Sequence, residues 1–513
     1  PSRIGEARFQ WPSWFPLLSL PAYRALGIWG LYIVPMLAGL LAIGAAGMLA
    51  GRLEPRARLP AMMGVAFGTP LLFYSVLFWE HTLTTCLGLA ALLAGMRALE
   101  MSGWRRYGAL LGGGLCLALA VAIRDELLLV LVAFPVAVAV APLVHRHQEG
   151  RRRRRAWIKV AVRLGVFALV VAVAVPWIRW WAGHTSASPL REGQLAQLFL
   201  SGVARIGSAE FWRTLPRHVA QVLVNDPCRF GVPLAQRWLI IGSGGVLLCL
   251  AAGLFRGRLR LPVWLAGAGL LGGVTVVALF APDRFRAVHG ILLPAPWLVL
   301  AWLPTERGPR PRARGEHLLR LFTVLYLLGY LLVTHILRRP TGGPEWGTRY
   351  ALLAFPLLGV CPASGVVRIL RHPVFAMRAA VLGMAAVLFV AACQFTVRGV
   401  IELQATKRDL AAFAAEIRRA DCPVVTDLWW LPAALGPLYV EHPIFTLVRR
   451  EEFPTWLHTF RPHLDRFMTV TYEPGAEPGR VTAIPSCAVI NQRLVQEMRF
   501  TQYRVLRENG HER

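Results

Sequence analysis

Apolar runs of roughly 16–25 residues, long enough to cross a hydrocarbon core of about 30 Å, recur along the chain. Polar residues collect in the short stretches between them. The pattern predicts membrane spans near 26–50, 60–77, 82–97, 107–123, 126–143, 164–181, 238–255, 263–281, 288–303, 319–336, 350–365 and 379–397. After the last span the periodicity changes. Ile401 to Ala420 reads as an amphipathic helix, and short β-rich runs follow at Pro423–Thr426, Ile444–Val448, Phe467–Tyr472 and Ala488–Asn491. The expected fold is therefore mainly α, a polytopic membrane protein of about 12 transmembrane helices with a small C-terminal α/β domain. The expected domains are an interfacial segment over 1–24, a transmembrane domain over 25–397 with a long loop at 182–237, and the C-terminal domain over 398–513.

Arginine alternates from connector to connector. Residues 51–59, 98–106, 144–163, 256–262, 304–318 and 366–378 are Arg-rich, with Arg151 to Arg155 the densest run; 78–81, 124–125, 182–237, 282–287 and 337–349 carry the other polar groups. Positively charged connectors are retained on the cytoplasmic side, so the second set, both termini and the C-terminal domain are expected outside. The chain opens at Pro1 with no signal peptide. Its outward start leads us to expect one further span and part of an outward loop upstream, about 13 spans in all. An Ala/Arg/Leu/Gly bias points to a bacterium, hence to the inner membrane with a periplasmic C-terminal domain.

Composition agrees with that picture. The 513 residues are 56% hydrophobic and only 16% charged, against about 25% charged in soluble proteins. The net charge of +28 lies in loops rather than in a basic stripe interleaved with stacking aromatics, which argues against nucleic acid. Eight cysteines show no CxxC or Cys/His cluster, so no zinc site is expected. Cys422 and Cys487 share the C-terminal region and would be able to join there if it faces an oxidising space.

Four outward clusters carry the candidate chemistry. In Phe73–Thr82 a short turn brings Glu80 and His81 to the rim, either as part of an aromatic belt or lining a polar site as acid/base, metal-ligating or hydroxyl-binding groups. Arg124-Asp125-Glu126 either caps a helical hairpin or offers Arg124 to a lipid phosphate, with Glu126 beside it. Asp283-Arg284-Phe285-Arg286 places Arg284 against the positive-inside bias, so it needs a phosphate or a partner carboxylate. The Gly/Pro-shaped loop Arg338–Tyr350 presents Glu345, Arg349 and Tyr350 at the mouth of a span. Arginines suit a phosphate leaving group, aromatics stack on sugars, and carboxylates can deprotonate a hydroxyl. Walker and GxGxxG motifs are absent. No cofactor is indicated. A divalent metal would be compatible with the carboxylates, although no ligand spacing calls for one.

The stretches WPSWFPLLSLPAYRALGIWGLYIVP at Trp11–Pro35, GTPLLFYSVLFWEHTL from Gly68, the approach to Arg124, and WGTRYALLAFPLL from Trp346 resemble the GT-C superfamily of membrane glycosyltransferases. The nearest branch is that of the bacterial relatives of protein O-mannosyltransferases and lipid A aminoarabinose transferases. The resemblance implies an active site at the outer face. There a polyprenyl-phosphate-linked sugar is the donor and a lipid, glycan or protein is the acceptor. It also implies an acidic motif in the first outward loop, expected upstream of Pro1, since residues 1–24 contain no Asp-Glu or Asp-x-Asp pair. On this reading Arg124 and Arg349 bind the donor phosphate, and Glu80 and His81 line the sugar or acceptor pocket. An envelope-polysaccharide polymerase or ligase is the alternative among enzymes. A 12-span secondary transporter is the alternative outside them, disfavoured because the ionisable residues gather at one rim and no internal repeat is seen.

Overall fold

The structure, a computed structural model, describes residues 14–124, 127, 129–130, 132–137, 140, 173–174, 200, 202–224, 233–252, 260–280, 290–303, 313–336, 351–428, 431, 435, 438, 442–447, 453–460, 463–472, 484, 487–495 and 498–506. They fall into two compact units, Pro1–Gly399 and Val400–Arg513. The first is helical: α1 (Trp14–Leu26), α2 (Gly30–Leu53), α3 (Arg58–Phe67), α4 (Leu71–Ser75), α5 (His81–Glu100), α6 (Trp104–Ile123), α7 (Ala209–Leu223), α8 (Pro233–Ala251), α9 (Arg260–Phe280), α10 (Ala313–Ile336), α11 (Ala354–Ile369) and the part of α12 (Phe375–Ala420) up to Gly399. Among the described residues, five helical stretches are long and apolar enough to cross a membrane: Phe15–Leu53, Trp104–Ile123, Arg260–Phe280, Leu318–Ile336 and Phe375–Ala420. The chain is that of an integral membrane protein. Five of the expected spans fall on these stretches, and those at 238–255 and 350–365 correspond to the shorter apolar helices Ile240–Ala251 and Ala354–Ile369. The expected span at 126–143 is described in part, with helix at 129–130, 132–137 and 140, and that at 164–181 lies almost wholly outside the described residues.

Two expected spans are not single helices. The run 60–77 breaks at Gly68-Thr69-Pro70 into α3 and α4. Pro70 has no N–H to continue the ladder, and the Thr69 hydroxyl donates to the Val65 carbonyl at 2.6 Å while accepting from the Leu71 N–H at 3.2 Å. The run 288–303 forms turns followed by a 3-10 helix, Pro296–Trp302. Pro294 and Pro296 exclude a regular helix there, and residues 290–300 are buried throughout. Irregular backbone is tolerated at membrane depth only when protein surrounds it. Here the Ile291 and Leu292 N–H groups donate to the Val222 and Leu223 carbonyls of α7 at 3.0 and 2.8 Å. The Trp297 indole donates to the Gly68 carbonyl at 2.7 Å, and a Cβ on Gly64 or Gly68 would lie 2.5–2.6 Å from its ring atoms. Missing side chains at the break in α3–α4 thus make room for this indole.

The α5–α6 pair is an antiparallel hairpin closed by Met101-Ser102-Gly103. Gly103 adopts φ +64, a left-handed conformation that glycine accepts without steric cost. Each helix has 20 residues, about 30 Å at 1.5 Å per residue. Small residues let the two backbones approach: a Cβ on Gly113 would sit 3.3 Å from the Ala91 carbonyl and from the Ala94 Cβ. At the closed end of the hairpin, Arg52 donates to Glu100 at 3.1 Å. Glu54, 4% exposed, receives Arg371 on both oxygens at 2.8 and 3.3 Å. Ion pairs therefore bring the Arg-rich connectors 51–59, 98–106 and 366–378 to one end.

The second unit holds a five-stranded sheet of β1 (Val424–Thr426), β2 (Ile444–Thr446), β3 (Arg466–Tyr472), β4 (Cys487–Val495) and β5 (Met498–Val505). Its order is β2-β1-β3-β5-β4, with β1 parallel to β2 and β3, and β5 antiparallel to β3 and β4. Strand periodicity separates two apolar faces. Met468, Val470 and Phe500 meet Phe413 and Ile417 near the end of α12, while Phe467 and Tyr503 meet Trp456 of α13 (Phe453–Phe460) on the other face. The helix expected to begin at Ile401 is the last part of α12, which runs unbroken to Ala420 and ends on Asp421 at φ 45. Cys422 and Cys487 are not bonded to each other. One precedes β1 and the other opens β4, three strand positions away and so about 14 Å across the sheet. Burial pushes the Cys422 thiol up, against the lowering influence of Arg466 and of a hydrogen bond from Gln502.

Candidate functional site

The open end of the α5–α6 hairpin gathers three of the residues singled out from sequence: Glu80, His81 and Arg124. α6 ends at Ile123, and Arg124 leaves it in extended conformation while its N–H still reaches the Ala120 carbonyl at 2.9 Å. α5 starts one residue after Glu80, whose side chain does not cap the helix. Its carboxylate instead receives Nη1 of Arg124. Both side chains are largely withdrawn from solvent, 15% exposed for Glu80 and 7% for Arg124. In such surroundings a charge pair interacts far more strongly than in water, yet desolvation offsets much of the gain. A pair like this fixes geometry more surely than it adds stability.

Aromatic rings surround the pair's neighbour. His81 is 5% exposed and meets Tyr74 and Trp79 edge-on at centroid separations of 5.7 and 5.8 Å. Tyr74 and Trp79 stack at 6.0 Å, Phe73 meets Tyr74 at 5.2 Å, and Phe15 of α1 covers Phe78 at 4.8 Å. The sequence Phe73-Tyr74-Ser75-Val76-Leu77-Phe78-Trp79 produces this because α4 stops at Ser75. The turn after it brings Phe78 and Trp79 back against the buried rings of α4 and α1 instead of continuing a helical face. α2 presses on the same place: a Cβ on Gly39 would lie 2.2 Å from the Ser75 hydroxyl. The Thr82 hydroxyl, fully buried beside it, has no hydrogen-bond partner among the described residues. That residue was not visible as a candidate in the sequence, where it reads as one of several polar positions in the run Thr82–Thr85. Glu126, Arg284, Glu345, Arg349 and Tyr350 lie outside the described residues.

A second polar cluster also escaped the sequence reading. His218 of α7 and His335 near the end of α10 have ring centroids 4.8 Å apart, and Phe211 meets His335 at 4.4 Å. The Thr334 hydroxyl lies 2.9 Å from His218 Nε2 and within 2.7 Å of the Tyr330 carbonyl. His335 Nε2 donates to the Phe211 carbonyl at 3.0 Å. Burial, followed by the neighbouring His335, pushes His218 down to about 4, so the ring is neutral at ordinary pH. Its signal in the sequence was only a histidine on the apolar side of an amphipathic helix, a position that more often serves packing. Among the described residues no three His, Cys, Asp or Glu side chains converge closely enough to hold a metal ion.

No family model and no curated protein sequence matches the chain. Among solved structures it is similar to ArnT from Cupriavidus metallidurans in the crystal structure bound to undecaprenyl phosphate. The identity is 14% and the TM-score 0.41, over 98% of this chain and 90% of that one. The apo structure of the same protein gives 14% identity and a TM-score of 0.41 over 97% and 88%.

Proposed function

We propose that the chain is a membrane glycosyltransferase that moves a sugar from a polyprenyl-phosphate donor to a lipid, glycan or protein acceptor at the outer face of the membrane. The observation that carries this reading is the Arg124–Glu80 pair, withdrawn from solvent beside the His81, Tyr74 and Trp79 rings at the Arg-poor end of an apolar hairpin. A guanidinium kept at headgroup depth by a carboxylate is pre-oriented for a phosphate diester, whose departure it stabilises as negative charge develops. In this reading Arg124 and Arg349 hold the donor phosphate. Glu80 orients Arg124, and with His81 it lines the sugar or acceptor pocket. The aromatic rings supply faces for a sugar and exclude water. The base that takes the acceptor proton is a carboxylate of the first outward loop, in keeping with the family resemblance of the sequence.

The reading extends to a 12-span arrangement within this chain, a bacterial inner membrane, and a periplasmic C-terminal unit. Binding of a polyprenyl-phosphate sugar to the purified, folded chain tests it, with Arg124→Ala and Arg349→Ala as comparisons. Saturable binding is expected, weakened about tenfold or more in each variant, as for loss of a charged hydrogen bond of roughly 1.5–3 kcal/mol. No saturable binding by the folded parent would sink the proposal.

A further inference from the structure

The closed end of the same hairpin carries a second, unassigned feature. An open groove of about 490 Å³ runs between α5 and α6 against Met48 of α2, floored by Leu93, Ala94 and Ala109. Its polar wall is made of Arg97 in the last turn of α5 and Arg105 in the first turn of α6. Arg97 lies three residues before the end of α5 and Arg105 one residue into α6, so at 1.5 Å per residue both sit within about 5 Å of the closing turn. Neighbouring charges are already committed. Arg106 donates through Nε to the Ala98 and Met101 carbonyls at 3.0 and 2.9 Å, closing the end of α5. Glu100, the acidic residue of 97–106, accepts from Arg52. Arg97 and Arg105 have no ion-pair or hydrogen-bond partner among the described residues, and both are exposed. Trp104, 79% exposed beside them, has the amphipathic ring that settles at headgroup level.

We propose that this groove binds one anionic glycerophospholipid, with an acyl chain along Met48, Leu93 and Ala109 and the phosphate bridged by Arg97 and Arg105. An apolar trough that ends in two uncompensated guanidinium groups complements that molecule at both ends. A zwitterionic lipid matches only the trough, and a free phosphate only the arginines. The end of the hairpin concerned is the Arg-rich one, where positive connectors face the leaflet enriched in anionic lipid. The proposal does not depend on the glycosyltransferase reading.

Native mass spectrometry of the full chain tests it, after exchange into detergent containing equal amounts of phosphatidylglycerol and phosphatidylcholine with identical chains. The parent is expected to retain one phosphatidylglycerol with a preference of about thirtyfold, the scale of two basic groups near an anionic headgroup. Arg97→Ala with Arg105→Ala abolishes the preference, whereas Arg97→Lys with Arg105→Lys keeps most of it. Gly112→Phe reduces retention of both lipids. Gly112 lines the groove, and a Cβ there would meet nothing within 4 Å, so this variant fills the trough without disturbing the helices. Three outcomes would overturn the proposal: equal retention of the two lipids by the parent, an unchanged preference in the double alanine variant, or undiminished retention by Gly112→Phe. Displacement of the retained lipid by millimolar inorganic phosphate would overturn it too, because the arginines would then be a site for the free ion.

Discussion

At the open end of the α5–α6 hairpin, Arg124 is 6% exposed and its guanidinium is paired through Nη1 with Glu80. At the closed end Arg97 and Arg105 stand exposed along an open groove with their charge unmatched among the described residues. The residue type and the two helices are the same, and the surroundings are opposite. The first end is closed by rings and by the contact of α2 with α4, so charge there has to be neutralised from within. The second is open, and its charge can be left for something outside the chain. Arginine content therefore says little about role in such a protein. What decides is whether a carboxylate and a packed shell have been supplied with it.

The sharpest break between the two ends is expected from alanine. Arg124→Ala leaves Glu80 without its cation in a site that excludes water, and losses of about 3–5 kcal/mol are typical when one member of a buried pair is removed. Arg97→Ala removes an exposed side chain and should stay within about 0.5 kcal/mol. Unfolding of the purified variants in mixed micelles compares them. The double variant Glu80→Ala with Arg124→Ala should regain part of the loss, giving a positive coupling in the cycle. Equal effects of Arg124→Ala and Arg97→Ala would remove the distinction between the ends.

How much of this was readable in the chain depends on which force sets each part. Glu80, His81 and Arg124 stood out because ionisable residues beside apolar runs are rare. The sequence puts them on one side of the membrane as separate clusters, and their meeting comes from the packing of α5 on α6. That Arg124 would pair with Glu80 was not readable, because partner choice is set by the extended turn at Arg124 and the missing cap at Glu80. The runs Pro423–Thr426, Ile444–Val448, Phe467–Tyr472 and Ala488–Asn491 all became strands, since alternation and β-branched residues act locally. β5 was missed: Met498–Val505 interleaves Arg499, Gln502 and Arg504 with its apolar residues, and burial of Arg499 at 4% is a tertiary outcome. The breaks at Gly68-Thr69-Pro70 and at Pro294–Pro296 were hidden for a different reason. Hydrophobicity reports burial, and buried irregular backbone is as apolar as a buried helix. His218 and His335 come together only through packing of α7 on α10, more than 100 residues apart in sequence.

Glycine offers a finer version of the comparison. On the closed-in side, Gly39→Ala forces a Cβ to within 2.2 Å of the Ser75 hydroxyl and 2.9 Å of its Cβ, and overpacking of this kind costs about 1–3 kcal/mol. On the groove side Gly112→Ala meets open space and should stabilise α6 by up to about 1 kcal/mol, from helix propensity alone. The same substitution is thus expected to change sign between the two regions. Ser75→Ala should relieve part of the Gly39→Ala loss by removing the nearer atom. A destabilising Gly112→Ala would mean that the groove is closed by contacts other than those of the described residues.

The smallest effect should come from Glu100. Its pair with Arg52 at 3.1 Å is 62% exposed on the carboxylate side, and exposed pairs contribute about 0.2–1 kcal/mol, less as salt rises. Glu100→Ala is therefore expected to lower stability by no more than that, and the difference should fade between low and high ionic strength. Lipid selection should move the other way. Releasing Arg52 adds a third unmatched guanidinium to the end that already carries Arg97 and Arg105, so the preference for phosphatidylglycerol over phosphatidylcholine should increase. A large, salt-insensitive loss of stability in Glu100→Ala would show that the closed end of the hairpin is a built internal charge network like the one at Arg124. The two ends would then differ in degree and no longer in kind.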